Sequence, residues 1–194
     1  LELTWISTVM LLCRVFDALN DPFMGMLVDN TRSPWGKFKP WILFGAISSA
    51  LVAFLLFWDF GLAGKNFILL FSILYLLWGI FYTTNDISFW SMMPALSHDQ
   101  KERERIGSLA RIIANIGLFS VVASVIPITS LLTEQTGNPR LAWSLYMGAC
   151  VIIMLVFQMI PLFVIKLPPA LGGEQEKTSL KGLVYALFKN DQLL

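Results

Sequence analysis

The sequence predicts an all-α protein, a polytopic bundle of membrane-spanning helices. Three observations predict it. Hydrophobic residues make up 56 % of the chain and charged residues 14 %, against about 45–50 % and about 25 % in soluble domains. The mean hydropathy is +0.68. Apolar runs of roughly 20 residues, the length that crosses a bilayer as a helix, recur along the chain with short polar breaks between them.

Taken in order, the first apolar run extends from about Thr4 to Val28. Asp29 to Pro40 then reads as a loop, because Pro34, Gly36 and four charged residues interrupt the pattern. The second span covers about Pro40 to Trp58, and its small residues Gly45, Ala46, Ser48, Ser49 and Ala50 favour close helix approach. A short turn from Asp59 to Asn66 leads to the third span, about Phe67 to Met93, which Pro94 closes. The alternating charges from Ser97 to Arg105 read as a solvated turn entering the next helix. The fourth span covers about Ile106 to Leu132, with Pro127 as a kink, and Thr133 to Pro139 is a loop. The fifth covers about Leu141 to Ile165 and stops before Pro168-Pro169. After a polar linker, Ser179 to Leu194 has the pattern of an interfacial helix, with Leu180, Leu183, Val184, Leu187 and Phe188 on one face.

Loop charge sets the orientation. Arg32, Lys37 and Lys39 follow the first span, Lys101, Arg103 and Arg105 the third, and Lys166, Lys177, Lys181 and Lys189 the fifth. The opposite loops hold only Lys65 and Arg140. Basic residues accumulate on the cytoplasmic side, so the chain is expected to start outside, cross five times and end in the cytoplasm. It opens on Leu1 with no charged leader region and ends at Leu194 within an amphipathic pattern, so it is expected to be a piece of a longer chain. Cys13 and Cys150 lie far apart in apolar runs and read as small apolar residues, and the lone His98 reads as solvated. Net charge is +1 and no basic run carries interleaved aromatics, so nucleic acid is not an expected partner.

The informative groups are the polar ones at depth. Arg14, Asp17 and Asp21 fall at roughly 0°, 300° and 340° around the first helix, inside one narrow arc. A charged stripe on a membrane helix is a functional-site hypothesis, since each charge at mid-helix costs about 2.5–3.5 kcal/mol on insertion scales. A structural ion pair is the alternative, but it would need one carboxylate, not two. On the third span Tyr82, Asp86 and Trp90 recur every fourth residue and share a face. On the fourth, Ser108, Arg111 and Asn115 share a face. Arg111 alternatively snorkels to the cytoplasm, and Trp90 alternatively anchors the chain at the interface.

If these groups share a cavity, Asp17, Asp21 and Asp86 outweigh Arg14 and Arg111 by one negative charge. Such a site attracts a cation or a proton. Asp17 and Asp21, one turn apart, can converge on one small hard cation, and Thr83 can add a hydroxyl ligand. Tyr82 and Trp90 offer flat faces, and Asp86 and Arg111 offer several hydrogen bonds. That mixture suits a polyhydroxylated solute. No nucleophile–base pair is visible, so no enzyme is expected.

Asp17 to Gly25, Asp29 to Trp41, Trp78-Gly79, Tyr82, Asn85 to Ser91 and Lys101 to Arg105 together resemble the glycoside–pentoside–hexuronide:cation symporters, a branch of the major facilitator superfamily. The likeness is close from about Leu12 to Arg111 and rests on hydropathy beyond it. It implies a partial N-terminal half of a major facilitator bundle. Residues 1–166 would be the second to sixth of twelve helices, and 167–194 the start of a cytoplasmic middle loop. The first helix and the C-terminal half would be missing partners. In the family the carboxylates matching Asp17 and Asp21 bind the coupling cation, with the hydroxyl matching Thr83 nearby. The positions matching Tyr82, Asp86, Trp90 and Arg111 serve the sugar, and Arg14 matches a charge beside the cation site. The superfamily's Gly-x-x-x-Asp loop pattern is present as Gly25 to Asp29, with its basic part spaced out through Pro34.

The expected protein is therefore a plasma (cell inner) membrane transporter. It would symport a glycoside-like solute with Na⁺ or H⁺ by alternating access, with no cofactor beyond that ion. Relatives of this kind that carry a lysolipid or a sulfonated sugar, and a non-transporting receptor or scaffold on the same helices, are the alternatives.

Overall fold

A computed structural model of the chain describes residues 2–97 and 99–165. The expected interfacial helix, the whole 167–194 segment and the reading of His98 lie outside the described residues. Five α-helices follow one another: α1 Glu2–Asp29, α2 Lys39–Leu56, α3 Gly64–Met92, α4 Gln100–Thr136 and α5 Pro139–Val164. α3 ends at Met92, within a residue of the expected stop before Pro94, and a short 3₁₀ turn, Met93–Leu96, follows it. The charged entry from Gln100 to Arg105 is itself helical, so α4 starts six residues before the expected Ile106. Asp99 caps that helix by accepting from the Lys101 amide at 3.0 Å. Asn138 does the same for α5, accepting from the amides of Arg140 and Leu141, with Pro139 at the first helical position.

Four of the helices, α2 to α5, are long and apolar enough to cross a membrane. α1 is long enough at 28 residues. Arg14, Asp17 and Asp21 lower its hydropathy below that of a plain lipid-facing span, the expected result of placing a charged stripe on a membrane helix.

Packing, not chain order, sets the neighbours. α3 lies between α1 and α2, α2 also packs on α5, and α5 packs on α4, giving the spatial order α1–α3–α2–α5–α4. The α2–α3 contact is the closest. A Cβ added at Gly45 would come within 2.6 Å of the Asn85 backbone nitrogen and 2.9 Å of the Phe81 carbonyl oxygen. Between helices in lipid, where apolar burial gives little drive, such small-residue contacts and polar ties hold the bundle. Asn85 supplies the polar tie. Its Nδ2 donates to the Ile42 carbonyl at 3.2 Å, and its Oδ1 accepts from Gln158 Nε2 at 3.4 Å, joining α3, α2 and α5.

The two ends of the bundle differ chemically. At one end Val28, Phe38, Ile42 and Met92 form a buried cluster packed against Leu162 and Ile165. Lys39 Nζ donates to the carbonyls of Leu162 (2.8 Å) and Ile165 (2.5 Å), and Lys37 pairs with Asp29 at 3.0 Å. At the other end Arg140 pairs with Asp59 at 3.0 Å, and Ser144 Oγ donates to the Phe57 carbonyl. The Asp59 carboxyl is held below the ordinary range, first by the Gly61 amide that donates to it and then by Arg140. This tie is fully present above the ordinary carboxylate pKa of about 3.9 and is lost as pH falls through the lower folded value.

Two outcomes follow from this architecture. Gly45→Val places a branched side chain against backbone that cannot retreat. It should destabilise the bundle by about 1–3 kcal/mol, read as a lowered Tm of the detergent-purified protein. A cysteine introduced at Ser33, in the loop of the basic end, should resist an impermeant thiol reagent in intact cells and react in inverted vesicles. Labelling from outside would reverse the orientation.

Candidate functional site

The site is built on the flank of α3 that faces α1 and α4. On α1, Arg14 and Asp17 pair at 3.8 Å across one turn. The guanidinium side is two-thirds exposed, while the carboxylate is turned inward. Asp17 Oδ1 lies 2.8 Å from where a Cβ on Gly79 would stand, so the carboxylate sits against the α3 backbone only because that residue is glycine. The same oxygen is buried and accepts no hydrogen bond, and the nearby Asn20 Nδ2 is buried and donates none. Asn20 is three residues from Asp17, on the same side of α1. Thr83, one turn beyond Gly79 on α3, is buried. Asp21 is exposed and lies within electrostatic reach of Asp86. Pro22 within α1 lacks the amide that would otherwise bond the Ala18 carbonyl, which weakens the helix between the two carboxylates.

A second group of polar side chains lies along α3 toward α4. Trp90 Nε1 donates to Asp86 Oδ1 at 3.1 Å, the bond that a four-residue spacing favours. The guanidinium of Arg111, on α4, stands 6.0 Å from the Trp90 ring centre, at the outer range of a cation–π contact. Arg111 forms no ion pair among the described residues. Asn115 does not join this group through its side-chain amide, which donates to the Arg111 carbonyl within α4. Tyr82 stacks on Trp78 at 5.4 Å, not on Asp86, and it is half exposed. That stack continues a ladder of rings along α3 through Tyr75 and Phe71 to Phe67.

The structure thus brings Asp17 and Arg14 together on α1, against α3 one turn from Thr83. It bonds Trp90 to Asp86 on α3 and places the Arg111 guanidinium of α4 6.0 Å from the Trp90 ring. Asp21 and Tyr82 stand between the two groups. Sequence reasoning missed Asn20 and Gly79. Both lie in the stretches that carry the family resemblance, and the spacing from Asp17 could have flagged Asn20, whereas the contact of Asp17 with Gly79 crosses between helices and has no local signal. Among the described residues no three His, Cys, Asp or Glu side chains cluster as a metal centre would require. The donors near Asp17 are oxygens, which suit a hard cation.

The whole chain, residues 1–194, matches the family model described as MFS/sugar transport protein. The chain belongs to that family, in the glycoside–pentoside–hexuronide:cation symporter branch of the major facilitator superfamily. It is 35 % identical over 197 residues to the lactose permease of Lactobacillus delbrueckii subsp. bulgaricus. It is 31 % identical over 198 residues to the raffinose carrier protein of Pediococcus pentosaceus. In each case 97 % of this chain and 31 % of the relative are covered. The inner membrane symporter YicJ of Escherichia coli is 27 % identical over 188 residues, covering 97 % of this chain and 40 % of the relative. The chain therefore spans about a third of the length of these curated relatives. It is an integral protein of the plasma membrane.

Proposed function

We propose that this chain forms five helices of a larger secondary transporter that carries a glycoside or related sugar together with Na⁺ or H⁺ by alternating access. The observation that carries the reading is the buried, unsatisfied Asp17 Oδ1 held against Gly79, one turn from Thr83 and from Asp21. A buried carboxylate oxygen without a donor is costly unless something positive meets it. Asp17, Asp21 and Thr83 would supply the oxygens to a coupling cation. Asn20 would join them, since turning its amide over presents Oδ1 in place of the orphaned Nδ2. Arg14 partly balances the pair. Asp86, Trp90 and Arg111 would hold the sugar, with the carboxylate and guanidinium on hydroxyls and the rings of Trp90 and Tyr82 against the C–H face. Relatives named for lactose and raffinose support the sugar class, and a relative named as a symporter supports coupling to an ion.

Through-space repulsion between Asp21 and Asp86 would link the two groups. A cation at Asp17 and Asp21 would remove repulsion on Asp86 and raise solute affinity. By linkage the solute must raise cation affinity by the same factor.

Two outcomes test the proposal in the full-length transporter. Asp21→Asn should still bind a labelled galactoside, but the binding should no longer respond to Na⁺ or to pH, and accumulation against a gradient should collapse. Full cation stimulation in this variant would place the cation elsewhere. Trp90→Ala should insert normally and bind the solute more weakly by about 1–3 kcal/mol, the scale of losing an aromatic platform. Unchanged affinity would leave Trp90 as an anchor at the membrane interface.

A further inference from the structure

A groove of about 540 Å³ lies outside the transport site, between the α1–α2 loop and the outer face of α2. Leu43, Phe44 and Ile47 form its floor, and Ser33, Pro34 and Trp35 form its wall. The buried stripe of α2 is Ile42, Gly45, Ala46 and Ser49. At about 100° per residue, Leu43, Phe44 and Ile47 lie off that stripe, with Phe44 edge-on to Phe81 of α3 at its border. Phe44 and Ile47 are each 50 % exposed and Trp35 is 62 % exposed, so no described part of the chain covers the groove. An apolar furrow on a membrane helix, where no described residue fills it, has the chemistry to take an acyl chain.

Cations flank the groove along the chain rather than lining it. The loop and the first residue of α2 carry three, and two are already engaged. Lys37 pairs with Asp29, and Lys39 donates to the carbonyls that end α5. Arg32, immediately before Ser33, is exposed and makes no ion pair or side-chain hydrogen bond among the described residues. Trp35 beside it has the amphipathic ring that suits headgroup depth. The loop belongs to the basic end of the bundle, which the charge asymmetry assigns to the leaflet where anionic lipids gather.

We propose that this groove is a binding site for one anionic phospholipid. An acyl chain lies along Leu43, Phe44 and Ile47, and the phosphate is held by Arg32 with Trp35 at the glycerol level. The site requires the chain to lie in a bilayer and is independent of what the bundle transports.

The test counts lipid retained by the full-length transporter. The detergent-purified protein is incubated with phosphatidylglycerol or with phosphatidylcholine, and bound lipid is measured by native mass spectrometry. Wild type should hold one phosphatidylglycerol at concentrations where phosphatidylcholine is washed away. Arg32→Gln should weaken phosphatidylglycerol retention about five-fold, the scale of one basic residue at a charged membrane surface, and leave phosphatidylcholine unchanged. Ile47→Trp should fill the groove and lower retention as well, and inorganic phosphate should not displace the lipid. Both positions face away from the helix contacts, so the variants should assemble normally. Equal retention of the two lipids would overturn the proposal. So would wild-type phosphatidylglycerol binding by either variant, or displacement by inorganic phosphate. Uptake is not read, so failure here leaves the transport proposal standing.

Discussion

The backbone of α3 is touched directly on two flanks. On one, Gly45 of α2 lies so close that a single added carbon would meet the Asn85 nitrogen at 2.6 Å. On the other, the Asp17 carboxylate occupies the space where Gly79 has no side chain. Helices in a bilayer gain little from burying apolar surface against one another, because lipid is equally apolar. Close backbone approach, with dispersion contacts and a few polar ties, must supply the cohesion. Asn85 provides such a tie to α2 and, through Gln158, to α5. It is also the residue before Asp86. The bond that fixes the rotation of α3 therefore also fixes where Asp86 and Trp90 are presented.

Charge burial on α1 is tolerated because α3 yields room for it. Arg14 pairs with Asp17 at 3.8 Å, a contact too long and too exposed on the arginine side to satisfy the carboxylate completely. One carboxylate oxygen and one amide nitrogen remain buried and unbonded in the same region. Most buried polar groups in folded proteins find partners, and exceptions concentrate where something else binds. The proposed coupling cation would complete this network.

The two ends of the bundle are held by different chemistry. At the basic end, α5 terminates on the ammonium of Lys39, which meets carbonyls that the helix itself leaves unpaired. At the other end an exposed ion pair and a serine hydroxyl join the α2–α3 turn to α5. Lys37 and Lys39 are thus held in internal ties, whereas Arg32 has no ion pair among the described residues.

What lies within one helix was legible in the sequence. Span positions follow from hydropathy, and the Asp86–Trp90 bond follows from a four-residue spacing. The pairing of Arg14 with Asp17 follows from three. These are set by local geometry that any α-helix imposes. The charged entry to α4 was legible as such, but hydropathy started the span at Ile106, and Asp99 is the cap that sets the helix start at Gln100. Tertiary structure alone decided the contacts between helices: Asp17 on Gly79, Gln158 on Asn85, Arg111 over Trp90. Hydropathy says that a helix crosses, but a nearly uniform apolar surface does not say how far it is rotated or which neighbour it meets. That rotation is fixed only when glycines, amides and charges from separate helices come into register, and it is the rotation that places the candidate site.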